Sequence, residues 1–449
     1  SLVGSLHFHG RLDSVAAGVL EPDVTPVASE ARAASETLAT LSLEARNAAL
    51  LAIARALEAE KASIEAANHE DVAAATRDAL APALLKRLKF DGDKIADCVA
   101  GLESLARLPD PVGHVRERRE LAPGLVLTRV TCPIGVIGII FESRPDALVQ
   151  ISALCLKSGN CCLLKGGREA LRTNRRLFEV VQAAAAAAGV PDGWIQLLET
   201  REDVGAMLAM DESIDLLIPR GSNAFVRYIM DNTRIPVMGH ADGICHVYVD
   251  RAADLAMALD IVEDAKCQYP AVCNATETLL VHADAAAAFL PALEARLSAR
   301  GVRLLGCERT RAIIGCPPAA EEDWDTEYLD LILSVKVVDG FDAAVRHINA
   351  HGSGHTDAIV TQDAAAAEAF MNRVDSADVF WNCSTRFADG FRFGLGAEVG
   401  ISTSKLHARG PVGLDGLMSY KWKLRGGGHV VAPFADGRTK FTHVELPAE

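Results

Sequence analysis

The run Gly135-Val136-Ile137-Gly138-Ile139-Ile140-Phe141 is apolar without polar alternation, the pattern of a strand buried on both faces. A helix-type stretch from Asp146 to Lys157, the breaker pair Gly159-Asn160 and a second apolar run from Cys161 to Leu164 follow. The segment therefore reads as a β-α-β unit. The order recurs, with a helix from Ala170 to Ala188 leading to Ile195-Gln196-Leu197-Leu198, and another helix leading to Leu216-Leu217-Ile218. Right-handed crossovers turn such a repeat into an open parallel sheet covered by helices on both faces, an α/β architecture suited to nucleotides.

A second set of alternating elements begins after Gly239-His240-Ala241-Asp242-Gly243, with strands expected at Ile244 to Val249, Thr278 to Val281, Val302 to Leu305, Leu331 to Val338 and Ala358 to Thr361. Before the first sheet, Val27 to Ala106 is Ala-rich, and Ala48, Leu51, Ile53, Ala54 and Leu57 suggest the buried face of a helix. Leu125 to Val130 reads as an extended arm between breakers, and Phe391 to Thr403 as a Gly-rich loop facing the cleft. The alternating strand Tyr420 to Leu424 reads as a second arm, and isolated ribbons of this kind are unstable alone. The two are expected to pair across a two-fold axis, making at least a homodimer.

At 449 residues the chain exceeds one core, so two or three domains are expected. The formal net charge of -15 argues against nucleic-acid or anionic-membrane partners, which select basic faces. No apolar run approaches the length of about 20 residues that spans a bilayer, and no secretory signal opens the chain, so a soluble cytoplasmic protein is expected. Eleven cysteines without regular spacing read as reduced thiols rather than a disulfide frame, and no structural metal site is expected.

One of these thiols stands apart. Cys273 lies in Gln268-Tyr269-Pro270-Ala271-Val272-Cys273-Asn274-Ala275-Thr276, a Pro-interrupted loop running into an apolar strand. Loops held by a rigid scaffold carry catalytic groups, and the thiolate is a strong nucleophile. The plain alternative is a small buried hydrophobe. Two glycine turns, Lys165-Gly166-Gly167-Arg168-Glu169 and Pro219-Arg220-Gly221-Ser222-Asn223-Ala224, each follow a strand and carry a basic residue. Such turns expose backbone N–H groups and a helix N-terminus, which suits a dinucleotide. Neither matches the G-x-G-x-x-G or Walker A pattern.

The collinear motifs Phe141-Glu142-Ser143-Arg144-Pro145-Asp146, Ala271 to Thr278, His347 to Asp357, Leu395 to Thr403 and His407 to Pro411 resemble the aldehyde dehydrogenase superfamily and, within it, the gamma-glutamyl phosphate reductases. The resemblance spans about Ala34 to Leu424. It implies a Rossmann-type cofactor domain (25–120 and 134–241), an α/β catalytic domain (242–408) and a small β oligomerisation arm (121–133 and 419–445). It also implies NADPH-dependent reduction of L-glutamyl 5-phosphate to L-glutamate 5-semialdehyde and phosphate in proline biosynthesis, with glutamate 5-kinase as a conceivable partner. The alternative is a phosphate-independent, NAD(P)-dependent dehydrogenase oxidising a small aldehyde to an acid.

Carried onto this chain, the resemblance makes Cys273 the nucleophile of a thioester mechanism and places Asn274 and Ser143 in the catalytic neighbourhood. The oxyanion amide of other superfamily members is replaced around Ser143-Arg144. Their water-activating glutamate falls at or beside His240. Lys165, Gly221 and Ser222 would hold the cofactor's adenosine and pyrophosphate, and Glu327 its nicotinamide ribose. Arg168 stands where NAD-preferring relatives carry a glutamate, so it would favour a 2′-phosphate. Arg144 and Arg386 are the expected substrate-binding cations.

Overall fold

The computed structural model describes residues 25–80, 82–142, 144–200, 202–405 and 407–448. Of the first five helices, Thr25–Leu38, Leu43–Ala59, Lys61–Arg77, Pro82–Leu88 and Gly92–Arg107, the first packs directly on the strands of the first sheet, and the second, third and fifth pack on the helices Pro145–Ser158 and Leu171–Ala187. The helix Leu43–Ala59 starts where the Ser42 hydroxyl accepts a hydrogen bond from Ala45 N–H, a side-chain N-cap. Its buried face is Ala49, Leu50, Ile53, Ala54 and Leu57. Ala48 and Leu51, expected on that face, look outward. The stripe through 46, 50, 53 and 57 follows the 3.6-residue period, which carries 48 and 51 round to solvent.

Strands β1 (Val115–Ala122) and β2 (Leu125–Pro133) form a hairpin, followed by β3 (Val136–Phe141), β4 (Cys161–Lys165), β5 (Ile195–Leu198) and β6 (Leu216–Arg220). The last four make a parallel sheet in the order β5-β4-β3-β6. Every residue of β3 is buried, as its unbroken apolar sequence requires. The chain steps from β3 through β4 to β5 and then returns to the opposite side of β3. The C-terminal ends of β3 and β6 therefore flank a topological switch point, where α/β sheets open a binding crevice.

The second sheet comprises β7 (Cys245–Val249), β8 (Thr276–His282), β9 (Arg303–Gly306), β10 (Ile332–Val338), β11 (Thr356–Val360) and β12 (Asp378–Trp381), all parallel, in the order β12-β11-β7-β8-β10-β9. Its own core is built from Val247, Val249, Leu279, Val281, Val335, Phe289 and Leu293. The expected boundary at residue 408 shifts. Ala397, Val399, Val412 and Leu417 pack into the core of the first unit, and the Gly-rich stretch expected as loop contributes β13 (Gly400–Ser402), paired with β14 (Gly410–Val412). The fastening is Asn160. Its side-chain amide donates to the Leu417 carbonyl at 2.8 Å, and its oxygen accepts from Gly135 N–H at 2.8 Å.

The arm is a four-stranded antiparallel sheet in the order β15-β2-β1-β16, completed by β15 (Met418–Arg425) and β16 (Val444–Leu446). It begins at Val115 rather than 121, because β1 pairs along β2 through a turn at Gly124, whose φ of +77° suits glycine. The arm segments expected to pair across a two-fold axis pair with each other within one chain, from Met418 opposite Pro133 to Arg425 opposite Val126. The anchored residue Leu417 immediately precedes β15 and delivers it alongside β2. Among the described residues, no helix is long and apolar enough to cross a membrane.

Candidate active site

The C-terminal edge of the first sheet faces the N-terminal edge of the second. Asn223, just past β6, donates its side-chain amide to Asp242 at 3.0 Å and to the Glu327 carboxylate. The rings of His240 and His355 meet edge to face at 5.0 Å between centroids. Between these edges lies the loop that carries Cys273. The helix Leu255–Cys267 ends, Pro270 prevents its continuation, and the chain turns through Val272 to Ala275 before entering β8.

That loop is fastened from three sides. Gly243 lies against Cys273 so closely that a Cβ there would sit 2.6 Å from the Cys273 Cα and overlap its carbonyl oxygen. The Cys245 thiol donates to that same carbonyl at 3.2 Å. Asn274 is buried. Its amide donates to the Ala388 carbonyl at 2.8 Å, its oxygen accepts from Arg386, and its backbone carbonyl accepts the Thr385 hydroxyl at 2.7 Å. Arg386 also donates to Gln268 Oε1 at 2.9 Å. Asn274, expected in the catalytic neighbourhood, lies directly beside Cys273 and braces its loop. Its carboxamide oxygen and one of its two amide N–H groups are engaged in holding the loop. Arg386, expected on the substrate, is buried as the brace of the same loop.

Cys273 is half-buried, with Sγ 3.3 Å from Nε2 of His355. Burial, reinforced by the Glu327 carboxylate and opposed by the Arg220 guanidinium, pushes the thiol up to about 12. Burial, with His240 beside it, holds His355 well below the ordinary histidine range. The resting pair is therefore a neutral thiol and a neutral imidazole. His240 is likewise lowered by burial, although its Nδ1 lies 3.0 Å from the Ile401 carbonyl. Ligand atoms of His240, Cys273 and His355 lie within 4.8 Å of one another. Under the loop, Glu277 and Lys266 form a fully buried ion pair at 2.5 Å; burial raises the Glu277 carboxyl to about 7 against the opposing pull of Lys266.

On the other side of the cleft, Lys165 ends β4 with its side chain buried and its Nζ 2.5 Å from the Gly166 carbonyl. Arg168 is exposed at the turn before the helix Leu171–Ala187. Gly221 meets Glu142 and Phe225 where a Cβ would stand, and Ser222 N–H donates to Glu142 Oε2 at 3.2 Å. A carboxylate thus sits at the first turn of the helix Asn223–Asp231, the place where a helix N-terminus accepts an anion. Glycine backbone, a helix N-terminus and a switch-point crevice fit a nicotinamide dinucleotide. Glu327, which accepts from Asn223 and the Gly243 N–H and is raised by burial, sits between this side and the thiol.

Arg144 is half-exposed and donates to Asp146 at 3.1 Å. Ser143 lies outside the described residues. Three residues absent from the expected site belong to it: Arg220, whose guanidinium packs against Gly400 and acts on the thiol, Glu142 and His355. All three sat within stretches already singled out, Glu142 in the Phe141 to Asp146 motif, Arg220 in the second glycine turn and His355 in the His347 to Asp357 motif.

Residues 14–304 match the aldehyde dehydrogenase family. The gamma-glutamyl phosphate reductase of Pelotomaculum thermopropionicum is 60% identical over 424 residues, covering 94% of this chain and 98% of that protein. This chain belongs to the gamma-glutamyl phosphate reductases. The crystal structure of the Thermotoga maritima member superposes with a TM-score of 0.89 at 39% identity, covering 91% of this chain and 100% of that one. An acetylating aldehyde dehydrogenase from Geobacillus thermoglucosidasius, at 17% identity and a TM-score of 0.61, shares the fold. The Gly243 contact sets the position of the Cys273 backbone. Gly243→Ala is expected to displace the Cys273 loop and to lower turnover by about 100-fold, the cost of misplacing a reacting atom by about 1 Å. Gly205→Ala, where an added methyl meets nothing within 4 Å, serves as the control and is expected to keep full turnover in the same assay.

Proposed function

We propose that this chain reduces L-glutamyl 5-phosphate to L-glutamate 5-semialdehyde and phosphate with NADPH, through a thioester on Cys273. The observation that carries the reading is the fixed thiol of Cys273 facing two imidazoles held neutral. Hydrolysis of a thioester needs a group that activates water, and in the aldehyde-oxidising members of the superfamily that group is a glutamate. His240 stands in its place, and the nearby Glu327 carboxylate is committed to Asn223 and the Gly243 N–H. The carboxylate that serves hydrolysis in those members is therefore missing here, which favours reduction of the acyl group. When bound, the nicotinamide dinucleotide supplies the hydride for that reduction. Lys165, Gly221 and Ser222 hold its adenosine and pyrophosphate, and Glu327 its nicotinamide ribose. Arg144, beside Arg220 at the cleft, is the substrate-facing cation.

The test runs the reaction backwards. Glutamate 5-semialdehyde is expected to reduce NADP only when inorganic phosphate is supplied, whereas phosphate-independent formation of the acid would favour an aldehyde-oxidising dehydrogenase. Cys273→Ala is expected to abolish this turnover with the fold retained, and Cys267→Ala, at the end of its helix, to keep most of it.

Cofactor preference is assigned to Arg168. Its exposed guanidinium suits a 2′-phosphate, and one charge-assisted hydrogen bond contributes about 1.5 to 3 kcal/mol, or roughly 10- to 150-fold in preference. Arg168→Glu should lower kcat/KM for NADPH by that factor and leave NADH nearly unchanged. Equal losses with both cofactors would show that the phosphate is read elsewhere.

The arm is proposed to dock a second copy. Tyr420, Trp422 and Leu424 project from the unpaired edge strand β15, 55%, 47% and 56% exposed. Exposed apolar edge strands seek partners. Light scattering at micromolar concentration is expected to give at least a dimer, and Trp422→Lys to shift it towards monomer.

A further inference from the structure

A chain of hydrogen bonds starts at the nucleophile and ends on a buried carboxylate. Cys273 Sγ is 3.3 Å from His355 Nε2, and His355 Nδ1 is 2.7 Å from Thr356 Oγ1. The Thr356 hydroxyl in turn donates to Asp378 Oδ2 at 3.2 Å. Thr356 and Asp378 stand side by side because they are register partners of β11 and β12. His355, Thr356 and Asp378 are all buried, so water does not compete for these bonds.

The direction of the chain fixes the tautomer. Thr356 has one proton and commits it to Asp378, so its oxygen accepts from His355. The imidazole proton is then on Nδ1, and the Nε2 lone pair points at the thiol. Such an arrangement, with a base oriented by a third group behind it, activates a nucleophile. The charged and titratable groups around the pair are His240, Arg220, Glu327 and Glu398.

We propose that His355 is a catalytic acid–base that takes the Cys273 thiol proton during attack on the acyl phosphate and hands it to the departing phosphate, with Thr356 and Asp378 as positioning residues. The step rests on the acyl-phosphate reading given above. It is balanced without any outside reagent. The S–C bond forms, the C–O bond to phosphate breaks, and the proton leaves sulfur for the bridging oxygen. A thiol and an acyl phosphate dianion become a thioester and hydrogen phosphate dianion, with no change of oxidation state. Without that proton the leaving group would be a phosphate trianion, which departs poorly. Burial supports the same order of events, because a thiol held up to about 12 needs a base at the moment of attack.

The test separates the base from the substrate. Alkylation of the full-length protein by iodoacetamide at pH 7, followed by mass spectrometry of the Cys273 peptide, needs no substrate. His355→Gln is expected to slow it by about tenfold or more, because the thiolate is the reactive form. Turnover with the acyl phosphate should fall further, within the range of about 10²- to 10⁴-fold that acid–base catalysis contributes. Thr356→Val, which keeps the shape and removes the hydroxyl, should lower both rates by a smaller factor, and Thr356→Ser should restore them. Wild-type alkylation rates in a folded His355→Gln protein overturn the proposal. If that variant does not fold, unchanged alkylation in Thr356→Val overturns it equally. A wild-type protein that shows no phosphate-dependent reaction overturns the acyl-phosphate reading and proton delivery to phosphate with it, whatever the alkylation rates.

Discussion

The Arg386 guanidinium, buried against the Asn274 oxygen and Gln268, holds the Cys273 loop in one shape. A buried cation is stable only when its donors are satisfied, so this contact demands that Asn274 and Gln268 stay where they are. The loop between them then has no freedom to slide, and Gly243 closes the remaining side by direct packing on the Cys273 backbone. The two β-sheets supply the walls. One presents the carboxyl ends of its strands and the other the amino ends, so a ligand at the switch point of the first sheet meets the thiol of the second.

The electrostatics of this junction oppose the chemistry it hosts. Burial and the Glu327 carboxylate favour a protonated sulfur, and burial favours an uncharged His355. A resting enzyme of that kind is poorly reactive towards stray electrophiles and becomes nucleophilic only when proton transfer is coupled to attack.

The elements most legible in the sequence are those whose burial is one-sided in character. The continuous apolar run of β3 has no amphipathic reading, and its shortness and the flanking Gly135 and Pro145 favour a strand buried on both faces over a buried helix, which it is. Strand β1 was invisible for the opposite reason. Its sequence Val115-Arg116-Glu117-Arg118-Arg119-Glu120-Leu121-Ala122 is mostly charged, and only its partners β2 and β16 make it a strand. In the site, Cys273 was legible because its loop precedes an apolar strand, and the glycine turns because they follow strands. The bracing role of Asn274 and Arg386 and the reach of His355 were not, since those contacts join residues 112 and 82 positions apart. Local pattern carries no information about such pairings, which are decided by which strands of a parallel sheet become neighbours.

Asn160 has a mechanical consequence. Besides the entry into β1 at Val115, the arm has two roots, the end of β2 at Pro133 and the start of β15 at Met418, which face each other in register. One buried carboxamide holds both, through Gly135 N–H on one side and the Leu417 carbonyl on the other. A lever clamped at both roots by the same bolt does not hinge. Force applied at the tip of the arm passes as a couple into the β3–β4 edge of the first sheet, the edge whose far ends open on the crevice.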